Sequence, residues 1–402
     1  MAHTRGALED IRVLELGNFI AAPTAGRILA DFGADVIKVE RPRTGDELRN
    51  WRLRAGDTSL LFRSVARSKR SLTLDLRTDE GREIALKLIA RTDIVLENFR
   101  PGTLEKWGLG EDALREVNPD LVFVRVSGFG QTGPNSHLAG FGAVAEAYGG
   151  LRHLTGEPGQ TPVRTGVSLA DFVAGLYAVV GALIGIIGKR SGRGGETVDV
   201  ALYEAIYSML ESTLPDYSAF GTIRGALGSK MPGVCPSGTY LCSDGKYIVI
   251  AGNGDAIYGR FMNVVGRPDL GTDIALQTNA GRVERETEID AAISDWAVSL
   301  DSKAALQLLA DAFVPSGPIN TIEDLADDPH LEARGMNERH SIRIDADTEQ
   351  EVLFPGIVPR LSAAPGRTRW MGPDLGSHTK DVLTEIGYDT DHIEAFDTKG
   401  VI

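Results

Sequence analysis

The first 130 residues alternate short apolar runs with polar segments punctuated by glycine. The runs at 12–16, 35–39, 71–75, 93–97 and 121–126 have the length and composition of strands. Between the first two, residues 23–32 carry a helical pattern. Pro23 sits in its first turn, where a missing N–H costs little, and Gly33 stops it. A second helix is expected over 80–90. Strands alternating with helices at this spacing predict an α/β fold with a doubly wound parallel sheet.

Beyond Gly128 the texture changes. GFGQTGP at 128–134 is a loop rich in breakers. A helix follows over 142–147, then a long helix of small residues over 169–189 and a helical stretch over 198–210. Residues 215–337 read as a smaller α+β domain, with a strand at 246–250 and helices over 258–265, 286–300 and 302–312. The last seventy residues carry few long elements and need a folded surface to lie against. The expected organisation is a large domain from 1–214 and 338–402, with the small domain 215–337 between.

Residues 172–188 are uncharged, but they are rich in glycine and alanine and shorter than the ~20 residues that span a bilayer. A buried helix in a large core is expected, not a membrane span. No apolar run follows the basic residue near the N-terminus, so no signal peptide is expected.

Composition narrows the function. At 402 residues the chain exceeds one ordinary core, which agrees with two domains. With 42% hydrophobic and 24% charged residues it is a globular protein. A net charge of -14 argues against a nucleic-acid partner, though a local basic pocket can still take an anion. Two cysteines, Cys235 and Cys242, build neither a disulfide framework nor a four-ligand zinc site, and a reducing cytoplasm is expected. The seven histidines lack metal-ligand spacing, and no G-x-S-x-G elbow occurs, so neither a metal centre nor a serine hydrolase is expected.

The loop after the first strand, GNFIAAP at 17–23, lacks the glycines of a dinucleotide site. Glu40, at the end of the second strand, could hold a ribose, but a NAD enzyme is not expected. A crevice at the strand ends remains. Arg41, Lys69, Arg70 and Arg77 stand next to strand ends, where basic side chains could face a common crevice and bind phosphates. Asp171 opens the long apolar helix. The helix dipole favours a carboxylate there, and a carboxylate also serves as covalent nucleophile where a reactive acyl intermediate is needed. Gly252, Asn253 and Gly254 follow a strand, and their backbone N–H groups could approach a bound acyl oxygen.

Six segments in order carry a resemblance: GADVIKVERP at 33–42, KRSLTLDL at 69–76, VLENFRPG at 95–102, SGFGQTGP at 127–134, GVSLAD at 166–171 and GPIN at 317–320. Together they resemble the class III CoA transferases, the family of formyl-CoA:oxalate and carnitine CoA transferases. The resemblance places the family's nucleophilic aspartate on Asp171 and its nucleotide-holding arginine on Arg41. Its cofactor-lining positions fall on Ile20, Ala21, Leu74, Asp75, Leu76, Arg77, Asn98, Phe99, Arg100, Ala139, Gly140, Phe141 and Gly142, with a basic residue near the phosphates at Lys106.

The resemblance implies a homodimer of interlocked rings that takes CoA thioesters and small carboxylates as substrates, with no prosthetic group. It implies a two-stage exchange through an aspartyl-acyl anhydride and an aspartyl-CoA thioester. The segment 162–177 is similar to transferases pairing succinyl-CoA with other dicarboxylates. Two departures stand out. Ile20 replaces a glutamine found in some members, and the loop 251–255 is shorter than the glycine-rich loop of the formyl-CoA enzyme. An α-methylacyl-CoA racemase shares the fold but needs a histidine base where this chain has Phe141, since an imidazole accepts a proton and a phenyl ring does not. A CoA-binding protein without catalysis is the remaining alternative.

Overall fold

The computed structural model describes residues 6–345 and 347–402. It divides into two compact units. The first comprises the chain up to Arg152, Arg164–Thr222 and Leu331–Ile402; the second comprises His153–Val163 and Ile223–His330. The small unit thus begins and ends about seven residues from the limits expected at 215 and 337. It also takes in 153–163, which the sequence pattern had assigned to the large domain.

The first unit is built on six parallel strands: β1 Arg12–Glu15, β2 Asp35–Glu40, β3 Arg70–Thr73, β4 Ile94–Glu97, β5 Val122–Ser127 and β6 Glu196–Ala201. Their order is β3-β2-β1-β4-β5-β6, so the direction of winding reverses between β1 and β4. A strand's side chains alternate between faces, and this alternation builds two cores. Val13, Val36, Ile94 and Val122 face one way, against helices α1 (Ala21–Asp31) and α4 (Leu169–Arg190). Leu14, Leu72, Val95 and Phe123 face the other way, against Ile84 and Leu88 of α2 (Asp79–Ile89). α2 starts where the Thr78 hydroxyl accepts a hydrogen bond from Gly81 N–H at 3.0 Å, with Asp79 and Glu80 in its positive first turn. Between β5 and α4 lies the short helix α3, Gly142–Tyr148.

α4 lies close on its neighbours because its contact face is made of small residues. A Cβ on Gly185 would come within 2.7 Å of Val122, and one on Gly175 within 2.9 Å of the Ala21 carbonyl oxygen. Ala170, Ala174, Ala178 and Ala182 complete that buried face. Among the described residues, α4 is the helix long and apolar enough to cross a membrane, and 44% of its most apolar window is buried inside the unit.

The helix expected over 198–210 is corrected. The chain forms β6 and only then a short helix, α5 Leu202–Tyr207. The alternating, β-branched ETVDVA pairs along β5, with Val124 opposite Val198 and Val126 opposite Val200. A ready strand edge outweighs helical periodicity in so short a run.

The second unit holds an antiparallel sheet of β7 Ser237–Leu241, β8 Tyr247–Ala251 and β9 Ser316–Pro318, with β8 in the middle. Helices α6 (Asp255–Val265), α7 (Glu286–Val298) and α8 (Ser302–Asp311) cover it through Phe261, Ile293 and Leu309. The C-terminal segment returns to the first unit. It forms a hairpin of β10 Asn337–Arg343 and β11 Glu349–Pro355, and it buries Val382, Leu383 and Val401 among the residues of α2 and β3.

Candidate active site

At the C-terminal ends of β1, β2, β3 and β4 the chain leaves a cleft of about 300 Å³. It lies at the reversal of winding, where open α/β sheets bind ligands. Seven of the residues singled out from sequence line it: Glu40, Arg41, Leu74, Asp75, Leu76, Arg77 and Phe99. Asn98 ties its two sides together. The Asn98 side chain accepts from Asn18 N–H at 2.8 Å and donates to the Asn18 carbonyl at 2.7 Å. Asn18 and Trp107 also line the cleft, Trp107 packing edge-on to Phe99 at 5.1 Å. Arg100 and Lys106, the chain neighbours of Phe99 and Trp107, are exposed and outside the lining.

The two cleft arginines have partners that an anion can replace. Arg77 grips Asp75 with two hydrogen bonds, at 2.8 and 2.7 Å, and holds its carboxyl below the usual carboxylate range. Arg41 pairs with Glu47. Both guanidiniums are more than half exposed. Such surface pairs contribute only ~0–1 kcal/mol, less than a charge-assisted bond to phosphate offers.

Lys69 and Arg70 do not belong to this group. Lys69 is fully buried and donates to Glu15 at 2.6 Å and to the Pro23 carbonyl at 2.7 Å. Arg70 is held by Asp35 at 2.9 and 2.6 Å, at the opposite end of β2, and by Glu385. Arg70 opens β3 and so starts from the edge away from the ligand crevice, whereas Lys69 is taken up by its buried partners. Glu40 is equally committed. It accepts twice from Arg49, both at 2.7 Å, and once from Ser71, so no ribose can use it.

Beneath the cleft runs a buried ionic network that sequence reasoning missed. Lys38 lies 3.1 Å from Glu15 and 2.8 Å from Asp46, and donates to the Gly17 carbonyl at 2.8 Å. Burial alone would lower the Lys38 pKa, but Asp46, Glu15 and Glu40 together raise it. Lys69 has less compensation, and burial lowers it to about 8 despite Glu15. Asp46 also accepts from Phe19 N–H at 3.1 Å, pinning that residue at φ +62°. The available signal was charge inside otherwise apolar strands: Glu15, Lys38 and Glu40. The side chains of Ile20 and Ala21 are buried, Ile20 among Leu48 and Phe62, so the loop can offer a ligand only backbone there.

Asp171 stands in the first turn of α4, half-buried. Its carboxylate abuts Gly142, the first residue of α3; a Cβ on Gly142 would lie 2.1 Å from Asp171 Oδ2. The loop segment that leads there, Ala139 to Phe141, is itself drawn in by glycine. A Cβ on Gly140 would fall 2.9 Å from Gly128 Cα. Phe141 is 60% exposed, and its ring meets Phe19 edge-on at 5.9 Å. Phe19 follows Asn18 of the cleft, and Phe141 precedes Gly142 at Asp171. The cleft and the carboxylate therefore share one edge of the sheet. Burial, and then the Glu146 carboxylate, push the Asp171 pKa up to about 6, against the pull of Arg164. Glu146 lies one turn along α3 from Gly142 and was not anticipated from sequence.

Gly252, Asn253 and Gly254 lie in the second unit, between β8 and α6. Buried Arg282 donates to the Asn253 carbonyl at 2.7 Å and to Asp255 at 2.6 Å, which anchors the loop. Among the described residues no group of three or more metal-ligating side chains occurs.

Residues 8–379 match the sequence pattern of CoA-transferase family III. The chain belongs to that family. It is similar to the succinyl-CoA–D-citramalate CoA-transferase of Chloroflexus aurantiacus, with 42% identity over 98% of each chain. It is also similar to the succinate–glutarate CoA-transferase of Agrobacterium fabrum, with 34% identity over 96% of this chain and 97% of that one. Among solved structures, a CAIB/BAIF family protein from Brucella suis superposes with a TM-score of 0.83 at 34% identity, covering 95% of this chain and 100% of that one. The chain is thus a CoA-transferase, and CoA thioesters are its substrates.

Proposed function

We propose that this transferase exchanges CoA between succinyl-CoA, or a similar short acyl-CoA, and a small dicarboxylate, with Asp171 as covalent nucleophile. The observation that carries this reading is the half-buried Asp171 carboxylate, raised to about 6, beside a cleft with two exchangeable arginines. A carboxylate of raised basicity is a better nucleophile, and at neutral pH it is still mostly ionised. The names of the relatives, which act on succinyl-CoA or succinate together with citramalate or glutarate, support the substrate class.

Arg41 and Arg77 give up their carboxylate partners to the CoA phosphates, and Phe99 and Trp107 offer an apolar wall. Asp171 Oδ attacks the thioester carbonyl, the C–S bond breaks, and an aspartyl-acyl anhydride and CoA thiolate form. The thiolate attacks the Asp171 carbonyl carbon, the anhydride C–O bond breaks, and the donor acid leaves as its carboxylate. An aspartyl-CoA thioester remains. The acceptor carboxylate attacks it and releases thiolate, which then attacks the acceptor acyl carbon and frees Asp171. No net proton is consumed, so no general acid or prosthetic group is needed. Phe141 fits this chemistry, which asks for no base at that position.

Hydroxylamine added during turnover with succinyl-CoA tests the reading. It should convert Asp171 to a hydroxamate, seen as a mass shift on the peptide that contains it. A peptide unmodified under full turnover would remove the covalent step.

We also propose an interlocked homodimer, without membrane or nucleic-acid partner, in a reducing cytoplasm. Leu176, Val180, Ile184 and Ile187 form an exposed apolar row on α4, each more than half accessible, of the kind that marks a protein interface. Cys235 and Cys242 are both free and buried. Light scattering should give twice 43.1 kDa at every dilution; a folded, active monomer at low concentration would refute the interlocking.

A further inference from the structure

Glu146 is fully buried on α3, and neither of its carboxylate oxygens has a hydrogen-bond partner among the described residues. Two guanidiniums converge on the same oxygen, Oε2: Arg152 at 3.7 Å and Arg164 at 3.9 Å. Both distances exceed hydrogen-bond reach. A buried charge is stable only when hydrogen bonds satisfy it; Glu146 has none, Arg152 is mostly covered, and Arg164 is half exposed and opens the cluster to solvent. The Arg152 Nε–H is buried and also lacks a partner. The cluster therefore balances charge while leaving donors unspent.

Its position is as informative as its composition. Glu146 is four residues from Gly142 and on the same face of α3, and Gly142 touches the Asp171 carboxylate. Glu146 and Arg164 are the two charged groups that act on Asp171. Two arginines with unspent planar donors therefore gather on Glu146, and one of them, Arg164, acts directly on the carboxylate that takes the acyl group. Arginine forks match a carboxylate in geometry and charge.

We propose that Arg152 and Arg164 form the subsite for the second, non-reacting carboxylate of the dicarboxylic substrate. Glu146 is the counter-ion that keeps the pair in place between turnovers. The subsite rests on the dicarboxylate transferase reading and specifies how that class is selected. Asp171 and Glu146 carry two negative charges, Arg152 and Arg164 two positive. A monocarboxylate would leave the buried Arg152 Nε–H unmet, whereas the distal carboxylate of a dicarboxylate satisfies it and pairs with Arg164, and an unmet buried donor is what rejects the wrong substrate.

The test compares Arg152→Gln and Arg164→Gln with wild type, using succinyl-CoA against butyryl-CoA as donors and glutarate against valerate as acceptors. Arg152→Lys and Arg164→Lys serve as charge-retaining controls, and thermal melting verifies folding. Each Gln variant should lower the dicarboxyl-to-monocarboxyl ratio of kcat/KM at least tenfold, and the Lys variants should lose less. A second readout needs no turnover: succinate should raise the melting temperature of Asp171→Asn protein, and adding either Gln substitution should abolish that shift. Equal losses for both substrate types, or no loss, would overturn the subsite while leaving the transferase reading intact. Wild type without exchange, but with arginine-dependent succinate binding, would overturn the transferase reading and keep the subsite. Neither exchange nor arginine-dependent binding would overturn both.

Discussion

The Asp171 carboxylate occupies the space that a side chain on residue 142 would need. A Cβ on Gly142 would come within 2.1 Å of Oδ2, and that position lies at the start of a helix, where backbone cannot easily yield. Gly142→Ala should therefore displace the nucleophile by about an ångström. A misplacement of that size costs on the order of 100-fold in rate. We expect kcat to fall by about that factor while CoA affinity, measured by calorimetry, stays within a few-fold. Full activity in the Ala variant would show that Asp171 has a second competent position.

The pH profile follows from the groups facing Asp171. Burial and Glu146 raise its pKa to about 6, and Arg164 opposes them. Since the ionised form attacks, kcat should rise with pH through about 6 and then level off. Glu146→Gln removes a neighbouring negative charge and should move this limb to lower pH. Arg164→Gln should move it to higher pH. A limb that shifts with neither substitution would mean that another group titrates.

The same raised pKa makes Asp171 a liability to the fold. An acid whose folded pKa lies above its unfolded value costs stability fully above the folded pKa and nothing below the unfolded one. For Asp171 the cost enters between 3.8 and about 6. Asp171→Asn should thus be inactive yet more stable at pH 7.5, on the order of 1–3 kcal/mol at about 1.4 kcal/mol per unit. Denaturant melts at pH 7.5 and pH 4 should show the advantage at the first and little at the second. A less stable Asn variant at pH 7.5 would contradict the burial argument.

Arg41→Ala should raise KM for the CoA thioester and leave kcat within a few-fold, because a phosphate contact is made equally in ground and transition states. A charge-assisted hydrogen bond is worth ~1.5–3 kcal/mol. The free enzyme already pairs Arg41 with Glu47, so the loss should sit near the lower end, roughly tenfold. Steady-state kinetics with succinyl-CoA would decide it; unchanged KM would make Arg41 surface charge only.

Much of this protein was legible from local pattern. Short apolar runs set the first five strands, breakers set the turns, and the order of motifs placed Asp171 at the head of a small-residue helix. These features depend on neighbours a few positions away, where periodicity of two or 3.6 residues carries the information. Residues 196–201 were misread because a short β-branched run becomes a strand only when another strand offers its edge.

Tertiary structure decided which charges are spent and which are available. Lys69 and Arg41 look alike in the sequence, yet one is buried against Glu15 and the other lines the cleft with an exchangeable partner. Glu146, Arg152 and Arg164 lie on separate segments, and nothing in their spacing brings them beside Asp171. The packing of α3 against α4, permitted by the missing side chain at Gly142, brings Glu146 near Asp171, and Glu146 gathers the two arginines. Burial then converts an ordinary aspartate into one with a raised pKa, because desolvation acts on a position in space and not on a position in the chain.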